Sequence, residues 1–402
     1  MLLQIIRGGA RLVEKPARRF VRLERDALLA QARRRADDLY FEDTTFLEGL
    51  TRLLHALVTE ARLNLLGRIV ARDGILGHLV TRLRLEQDRR GHPEIAAQRI
   101  DRPIVITGLA RSGSTLLHSL MAQDPANRVP QMWEMVTPSP PPDTATYERD
   151  PRIEALERRL RWFDRLAPEF KKIHSVGARL PEECVVILSH SFLSTQFCSM
   201  YGVPSYQSWV RSQSQLPAYR LHRRFLQQLQ WRCNGDRWVL KAPAHLHALA
   251  ELCAVYPDLG VIMTHREPLE VLPSEASLHT VLRQTFSDGV DPAAVGREVT
   301  ELTADELYVG LKARDQGCAP PERFLDVRYR DLVRDPIGTV YRVYAHFDIP
   351  FTTMAETRMR RYLADSPKDK HGAHVYSLSQ FGLDADEERR RYRNYRERFL
   401  LN

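Results

Sequence analysis

The chain has 402 residues, 43% of them hydrophobic and 27% charged, and a formal net charge of +8 at pH 7. This length can bury a large core and is enough for two or three domains. The positive charge is compatible with an anionic small molecule, an anionic membrane surface or nucleic acid as a partner. Because the arginines are spread along the chain and no nucleic-acid recognition motif is present, we expect no nucleic-acid partner.

The cysteines and the apolar runs indicate the cellular compartment in which the protein is expected. The five cysteines are scattered without a Cys-x-x-Cys pair, which predicts free thiols rather than disulfides or a zinc site. No apolar run approaches the ~18 residues that cross a bilayer, and the apolar start of the chain is too short for a signal peptide. We therefore expect a cytoplasmic protein, with contact between its basic N-terminus and an anionic membrane surface left open. The sequence indicates no oligomeric state.

The first hundred residues and the rest of the chain differ in pattern. Residues 1–100 are predicted to form a helical N-terminal region, because Leu47, Leu50, Leu54 and Leu57 recur at helical spacing. Residues 101–402 are predicted to form the main domain. A proline-rich loop at 138–142 opens a helical insertion at about 140–235.

In the main domain, short β-branched runs alternate with helical patterns. The predicted strands are 104–107, 238–241, 261–264 and 324–329. The predicted helices after the insertion are 246–256, 269–284 and 384–399. This alternation predicts an α/β fold, in which a P-loop-like parallel sheet is flanked by helices.

The segment from Ile104 to Leu117 reads as a strand, a glycine loop and the start of a helix. Backbone N–H groups and the positive end of a helix dipole converge in such a turn, which suits it to an anion. The spacing from Gly108 to Gly113 and Ser114 is that of a nucleotide P-loop, except that Ser114 replaces the lysine. Arg111 is the cation in this loop. The structural alternative is a degenerate glycine turn before a core helix.

Three later segments carry further candidate residues. Arg266 ends a predicted strand and Ser274 follows eight residues later, so that a guanidinium and a hydroxyl could bind one phosphate. Lys241 ends another strand, at the sheet edge where α/β folds bind ligands. Tyr329 precedes an Asp-Pro turn, which predicts a helix start. Each residue could instead lie at an ordinary strand end.

Together and in this order, the segments resemble the sulfotransferases that use 3′-phosphoadenosine 5′-phosphosulfate (PAPS). The loop is similar to that of the bacterial members of about this length and of the related Golgi tyrosylprotein sulfotransferases. The resemblance implies that PAPS is the cosubstrate, that no metal is needed, and that Arg266 and Ser274 bind the 3′-phosphate. It further implies that Tyr329 lies near the adenine nucleotide and that Lys241 stabilises the leaving oxygen. The loop residues that would hold the phosphosulfate are Arg111, Ser112, Gly113, Ser114, Thr115 and Leu116.

Two parts of the resemblance are imperfect. The glutamate that usually follows the tyrosine of the Tyr329 segment is Arg330 in this chain. The glycine-rich basic motif that closes over the 3′-phosphate in cytosolic members is absent, and Lys370, His371 and Gly372 are a loose analogue of it.

An acceptor hydroxyl needs a base that takes its proton during in-line attack on sulfur. Glu134 is our first choice, since the Golgi enzymes carry a glutamate at a similar distance beyond the loop arginine. Glu182 or Glu183 is second, as base or acceptor contact, and His245 is third. The acceptor is expected to be a small molecule or a lipid-like hydroxyl compound.

Two other functions fit the loop alone. A P-loop kinase-like phosphotransferase would need a lysine at position 114 and a magnesium-binding aspartate at a strand end, where this chain has Ser114 and Lys241. A non-catalytic nucleotide-binding module would keep the loop but has no need of Lys241.

Overall fold

The apolar runs of the main domain form the strands of one parallel sheet in the computed structural model, which describes residues 21–166, 176–233, 235–365 and 376–400. The strands are β1 Ile104–Gly108, β2 Asn127–Arg128, β3 Arg237–Lys241, β4 Gly260–His265 and β5 Phe324–Arg328. Within the described residues the sheet has five strands in the order β2-β3-β1-β4-β5. All four strand pairs are parallel, with Gly108 opposite Thr264 where β1 and β4 end.

Helices precede the sheet, connect its strands and cover both faces. Before β1 lie α1 Arg25–Arg35, α2 Leu47–Thr59, α3 Leu65–Gly91 and α4 Pro93–Ala97. Between β1 and β3 lie α5 Ser114–Met121, α6 Met132–Val136, α7 Pro151–Leu166, α8 Val185–Ser189, α9 Gln196–Met200, α10 Pro204–Ser212 and α11 Leu216–Gln230.

After β3 come α12 Leu249–Val255, α13 Pro268–Phe286, α14 Pro292–Asp315, α15 Tyr329–Arg334, α16 Pro336–His346, α17 Thr353–Asp365, α18 Ala385–Arg391 and α19 Arg393–Phe399. Single 3₁₀ turns occupy Tyr147–Arg149, Pro243–His245, Pro321–Arg323 and Leu378–Phe381. No helix in the described ranges is long and apolar enough to span a membrane.

The predicted α/β fold class is confirmed. Where individual strands and helices differ from the prediction, the difference has a physical cause. β1 and β4 are buried along their whole length, as expected for central parallel strands, and they read as continuous apolar runs. β2 was missed because two polar residues at a sheet edge give no periodic signal. Tyr329, predicted as the last residue of a strand, begins α15. The predicted Asp-Pro helix start is confirmed, since the Asp335 carboxylate accepts a hydrogen bond from Gly338 N (2.9 Å) at the start of α16.

The N-terminal helices share their core with part of the predicted insertion. Leu50, Leu53 and Leu79 pack in one buried cluster with Phe192 and Tyr206. A separate buried cluster joins β1, β3 and β4 to α11 and α12. The division into a region at 1–100, a main domain at 101–402 and an insertion at about 140–235 stays a prediction.

Candidate active site

The loop between β1 and α5 is held in an unusual backbone conformation. Gly108, Arg111 and Gly113 all have positive φ angles, of 125°, 60° and 89°. A Cβ at Gly108 would lie 2.2 Å from the backbone oxygen of Thr264, so β4 can approach β1 only at a glycine. A turn of this kind at the start of a helix is suited to binding an anion through its backbone N–H groups. We call residues 108–115 the anion loop.

Ser112 ties the anion loop to the sheet. Its hydroxyl donates to the Leu109 carbonyl and lies 2.6 Å from Thr264 Oγ1, and the side chain is fully buried. The side chain is therefore used inside the protein, and only the backbone N–H of Ser112 is left for a ligand.

Arg111 connects the anion loop to Arg266 and Ser274, the two residues predicted to bind the 3′-phosphate. Its Nε donates to Ser274 Oγ on α13 (3.1 Å), and its carbonyl accepts from Nη1 of Arg266, just after β4 (2.9 Å). The Arg266 guanidinium also stacks 4.1 Å from the ring centre of Tyr329. A Cβ at Gly113 would lie 3.0 Å from Tyr329 Cδ2. Residues far apart in the sequence thus meet around one loop.

Lys241 lies at the end of β3 beside the same loop. The side chain is almost fully buried, and Nζ donates to Glu183 Oε1 (2.6 Å) and to Thr115 Oγ1 (3.4 Å). Glu183 precedes α8, and its side chain is 20% exposed, so it remains partly accessible to a ligand. The lysine and the carboxylate are therefore held together at the start of α5.

Glu134, the first choice for the base, lies in a different environment. Its Oε2 accepts hydrogen bonds from Arg128 Nη2 (3.1 Å) and from the Tyr147 hydroxyl (2.9 Å), and Oε1 caps α6 by accepting from Gln131 N. Burial lowers the pKa of Arg128 and the Glu134 carboxylate raises it, with a net upward shift. Both carboxylate oxygens are engaged and no part of Glu134 is exposed. These contacts favour a structural role for Glu134.

His245 and Glu182 are also committed to internal contacts. His245 is fully buried, and its Nδ1 lies 2.8 Å from the hydroxyl of Tyr219. Burial, and then the charges of His222 and Lys241, lower the pKa of His245 well below its usual value. Glu182 is mostly buried, and its Oε1 accepts from the backbone N of Glu183 (2.8 Å). Lys370, His371 and Gly372 lie outside the described residues.

Sequence reasoning missed Glu275, the residue after Ser274 on α13. Burial raises its pKa to about 8, with the charge of Glu306 adding to the rise, that of Arg111 opposing it and that of Glu183 adding to it. Its carboxylate makes no hydrogen bond within the described part of the chain. The sequence offered only its position next to Ser274, whereas its proximity to the charges of Arg111 and Glu183 arises from the fold.

We expect Glu275→Gln to flatten the pH dependence of stability. The folded state holds the Glu275 proton more tightly than the unfolded state, so the free energy of unfolding of the wild type falls as pH rises from about 4.5 to about 8. The glutamine variant lacks this loss and should gain stability relative to the wild type across that window. Urea unfolding near both ends of the window measures the difference. The control is Glu301→Gln, an exposed residue of α14. An equal difference at both pH values would contradict the expectation.

Comparisons with known proteins agree with this geometry. The sequence model of the Sulfotransferase family matches residues 103–353, which include β1, the anion loop, Lys241, Arg266 and Tyr329. The chain belongs to the sulfotransferase family. Sulfotransferase STF1 from Mycobacterium tuberculosis H37Rv has a similar structure, with a TM-score of 0.81, 33% identity, and coverage of 92% of this chain and 98% of that one. Sulfotransferase STF9 from Mycobacterium avium gives a TM-score of 0.83 at 27% identity, over 94% and 97% of the two chains.

A sequence comparison also finds a relative that is named as a sulfotransferase. This chain is 28% identical over 298 residues to the omega-hydroxy-beta-dihydromenaquinone-9 sulfotransferase Stf3 of Mycobacterium tuberculosis, covering 70% of this chain and 71% of the relative. The Stf3 protein of Mycobacterium bovis matches equally well. The relation to the Golgi enzymes stays a prediction.

The family decides between the functions that the sequence left open. The protein is an enzyme that transfers a sulfonyl group from a sulfonate donor, as predicted, rather than a kinase-like phosphotransferase or a non-catalytic module. The described residues contain no group of three or more His, Cys, Asp or Glu side chains that could hold a metal ion.

Proposed function

We propose that this sulfotransferase uses PAPS and transfers its sulfonyl group, by in-line displacement, to the hydroxyl of a lipid-like small molecule. The observation that carries the proposal is the set of contacts around Arg111. This residue of the anion loop binds Ser274 and Arg266 directly, and Thr115 of the same loop contacts Lys241. One site thus offers hydrogen-bond donors for two separate anionic groups. The buried Lys241 lies beside the anion loop, which would hold one of these groups.

The two ends of PAPS have matching partners. The backbone N–H groups at the start of α5 and the Arg111 guanidinium suit the 5′-phosphosulfate, because they supply hydrogen bonds and positive charge without a metal. Arg266 and Ser274 supply a guanidinium and a hydroxyl for the 3′-phosphate. Tyr329, which stacks on Arg266, is available to the adenine nucleotide. We assign no contact to Lys370, His371 or Gly372 beyond the sequence prediction.

We assign Lys241 to the leaving group and Glu183 to the acceptor. The acceptor oxygen attacks sulfur while the bond from sulfur to the bridging oxygen breaks, and adenosine 3′,5′-bisphosphate leaves with the electron pair. Lys241 Nζ stabilises the charge that grows on the bridging oxygen. Glu183, 2.6 Å from this ammonium, receives the acceptor proton. This assignment replaces Glu134, whose carboxylate is engaged by Arg128 and Tyr147.

The acceptor class is proposed from the relative. Stf3 is named for a hydroxylated menaquinone, a lipid with a terminal hydroxyl. The aromatic side chains Tyr201 and Tyr206 are buried in the core with the N-terminal helices, so they give no independent indication of the acceptor. The acceptor proposal therefore depends on the similarity to Stf3. Labelled PAPS incubated with an omega-hydroxylated isoprenoid quinone, a simple phenol and a sugar tests it, and we expect the label to enter the quinone.

We also propose a cytoplasmic location and a metal-free reaction. The five cysteines are free in the structure, which suits a reducing compartment. A sulfonyl group carries less charge than a phosphoryl group, so Lys241 can stabilise the leaving oxygen without a metal. We expect EDTA to leave turnover unchanged in a steady-state assay. Loss of activity that magnesium restores would contradict the metal-free reaction.

We expect Arg266→Ala to weaken binding of adenosine 3′,5′-bisphosphate by about 2 kcal/mol, or about thirtyfold in affinity, because a charge-assisted contact is lost. Binding of AMP, which has no 3′-phosphate, should hardly change. Titration calorimetry with both nucleotides measures the two losses. The control is Arg358→Ala, an exposed arginine of α17. Equal losses for both nucleotides would remove Arg266 from the 3′-phosphate site.

A further inference from the structure

Four arginines line a cleft in which no described lining residue is acidic. Arg220, Arg223 and Arg224 on α11 and Arg89 on α3 surround a cavity of about 430 Å³. The other lining residues are Ala96, Leu216, Gln227, Ala254 and Val255. We call the four arginines and the space between them the arginine cleft.

The arginine cleft differs from a second arginine-rich cleft because its charges have no counterions among the described residues. None of its arginines forms an ion pair in the described part of the chain. A larger cleft, of about 580 Å³ beside β5, is also rich in arginine but includes Asp326 and Asp331. There Arg314 donates two hydrogen bonds to Asp326, at 2.7 and 3.0 Å. The charge of that second cleft is thus partly neutralised within the protein, whereas no described acidic residue pairs with the arginines of the arginine cleft.

The positive charges of the arginine cleft repel one another. Arg220 lies three and four residues before Arg223 and Arg224 on one helix face, a spacing at which like charges destabilise a helix. Burial, and then the charge of Arg224, lower the pKa of Arg89. An arrangement that costs stability in the free protein is expected where a ligand supplies the missing charge.

Arg89 is positioned by a buried amide. Its Nη1 donates to Gln227 Oε1 (3.1 Å), and the Gln227 amide donates to the carbonyls of Ala96 (3.2 Å) and Gln98 (2.8 Å). Gln227 is only 6% exposed. The guanidinium is thus oriented by the protein rather than left free on the surface.

The arginine cleft is distant from the proposed PAPS site. Ala96 and Gln98 lie just before β1, and Ala254 and Val255 end α12 just before β4. The cleft is therefore at the amino ends of the strands, whereas the anion loop and Lys241 follow their carboxyl ends. The donor nucleotide cannot be the ligand that neutralises these arginines.

We propose that the arginine cleft is a second anion-binding site, and that it takes a phosphate group with two or more negative charges. Guanidinium groups match phosphate oxygens in planar, bidentate pairs. A single carboxylate would neutralise one arginine of the four, whereas a phosphate monoester or a diphosphate brings more charge and more acceptor oxygens. A free phosphate compound and a phospholipid headgroup share this chemistry.

The test uses the full chain saturated with adenosine 3′,5′-bisphosphate, so that the proposed PAPS site is filled. Pyrophosphate is titrated by calorimetry into the wild type, into an Arg220→Gln/Arg224→Gln variant and into an Arg297→Gln/Arg358→Gln control. The control removes the same charge from exposed helix positions that make no ion pair in the described ranges. We expect binding to weaken at least about tenfold in the cleft variant and not in the control. Absence of binding to the wild type, or equal affinity in all three proteins, would overturn the proposal.

Two further measurements keep the result interpretable. The cleft variant should bind the bisphosphate normally and unfold at no lower temperature than the control, because repulsion is relieved. If it misfolds, the single variant Arg223→Gln replaces it. Cosedimentation with vesicles that contain phosphatidic acid, a phosphate monoester, and with vesicles of phosphatidylcholine alone identifies the source of the phosphate. Cleft-dependent binding to the anionic vesicles assigns a lipid headgroup, and binding of pyrophosphate alone assigns a free anion.

Discussion

Replacing Lys241 by alanine is expected to lower kcat by about 100- to 1000-fold, the loss typical of one preorganised group that stabilises charge in the transition state. The affinity for PAPS should change little, because the contact between Nζ and the bridging oxygen strengthens only as the bond to sulfur breaks. Single-turnover rates at saturating donor and calorimetry with adenosine 3′,5′-bisphosphate separate the two quantities.

Two controls show whether the lower kcat of Lys241→Ala is specific to the loss of this ammonium group. Lys312→Ala removes an exposed lysine of α14 and should leave kcat unchanged. Lys241→Met keeps the apolar length of the side chain without its charge and should be as slow as the alanine variant. If the Lys241 variants lost donor affinity in proportion to kcat, the lysine would bind the ground state and would have no special role in the transition state.

Glu183→Gln is expected to lower kcat by about 100- to 10,000-fold, the range over which a general base contributes. The loss should be smaller for an acidic phenol, which gives up its proton more readily than an aliphatic alcohol. Rates with a matched pair of acceptors of this kind measure the difference. A Glu183→Gln variant that remained fully active would contradict the assignment of Glu183 as the base.

Glu134→Gln is the matched comparison for the base. Because it removes the charge that pairs with buried Arg128, it should destabilise the fold by about 3 kcal/mol or more, as is typical of a broken buried ion pair. The protein that remains folded should keep most of its activity per molecule. A stable but inactive Glu134→Gln variant would instead support the original choice of Glu134.

The parts of the enzyme that depend on neighbouring residues could be predicted from the sequence. A glycine loop between an apolar strand and a helix is a contiguous pattern, and the spacing of Gly108, Gly113 and Ser114 is enough to indicate an anion site. Alternating strands and helices indicate a parallel sheet, whose topology brings the ends of β1, β3 and β4 to one edge. The contacts of Arg111 with Arg266 and Ser274 agree with that expectation.

The environment of each carboxylate could not be read in the same way. Glu134 and Glu183 are both glutamates in or next to short apolar helices, and the sequence offers no reason to prefer the second. Their environments differ because Arg128 and Tyr147 fold onto Glu134, whereas the end of β3 brings Lys241 to Glu183. The charge and accessibility of an acid depend on partners that the chain brings together only when it folds.

The sequence by itself determined the α/β fold class, the position of the anion loop and the sulfotransferase resemblance, because each is encoded by short-range order. Only the tertiary structure decided which acids are buried or engaged, that the two-residue β2 joins the sheet, and that four arginines without an ion pair to any described residue surround one cleft. Electrostatic interactions fall off with distance in space and not along the chain. A charged residue therefore has no defined partner, and no defined role, until the whole fold is known.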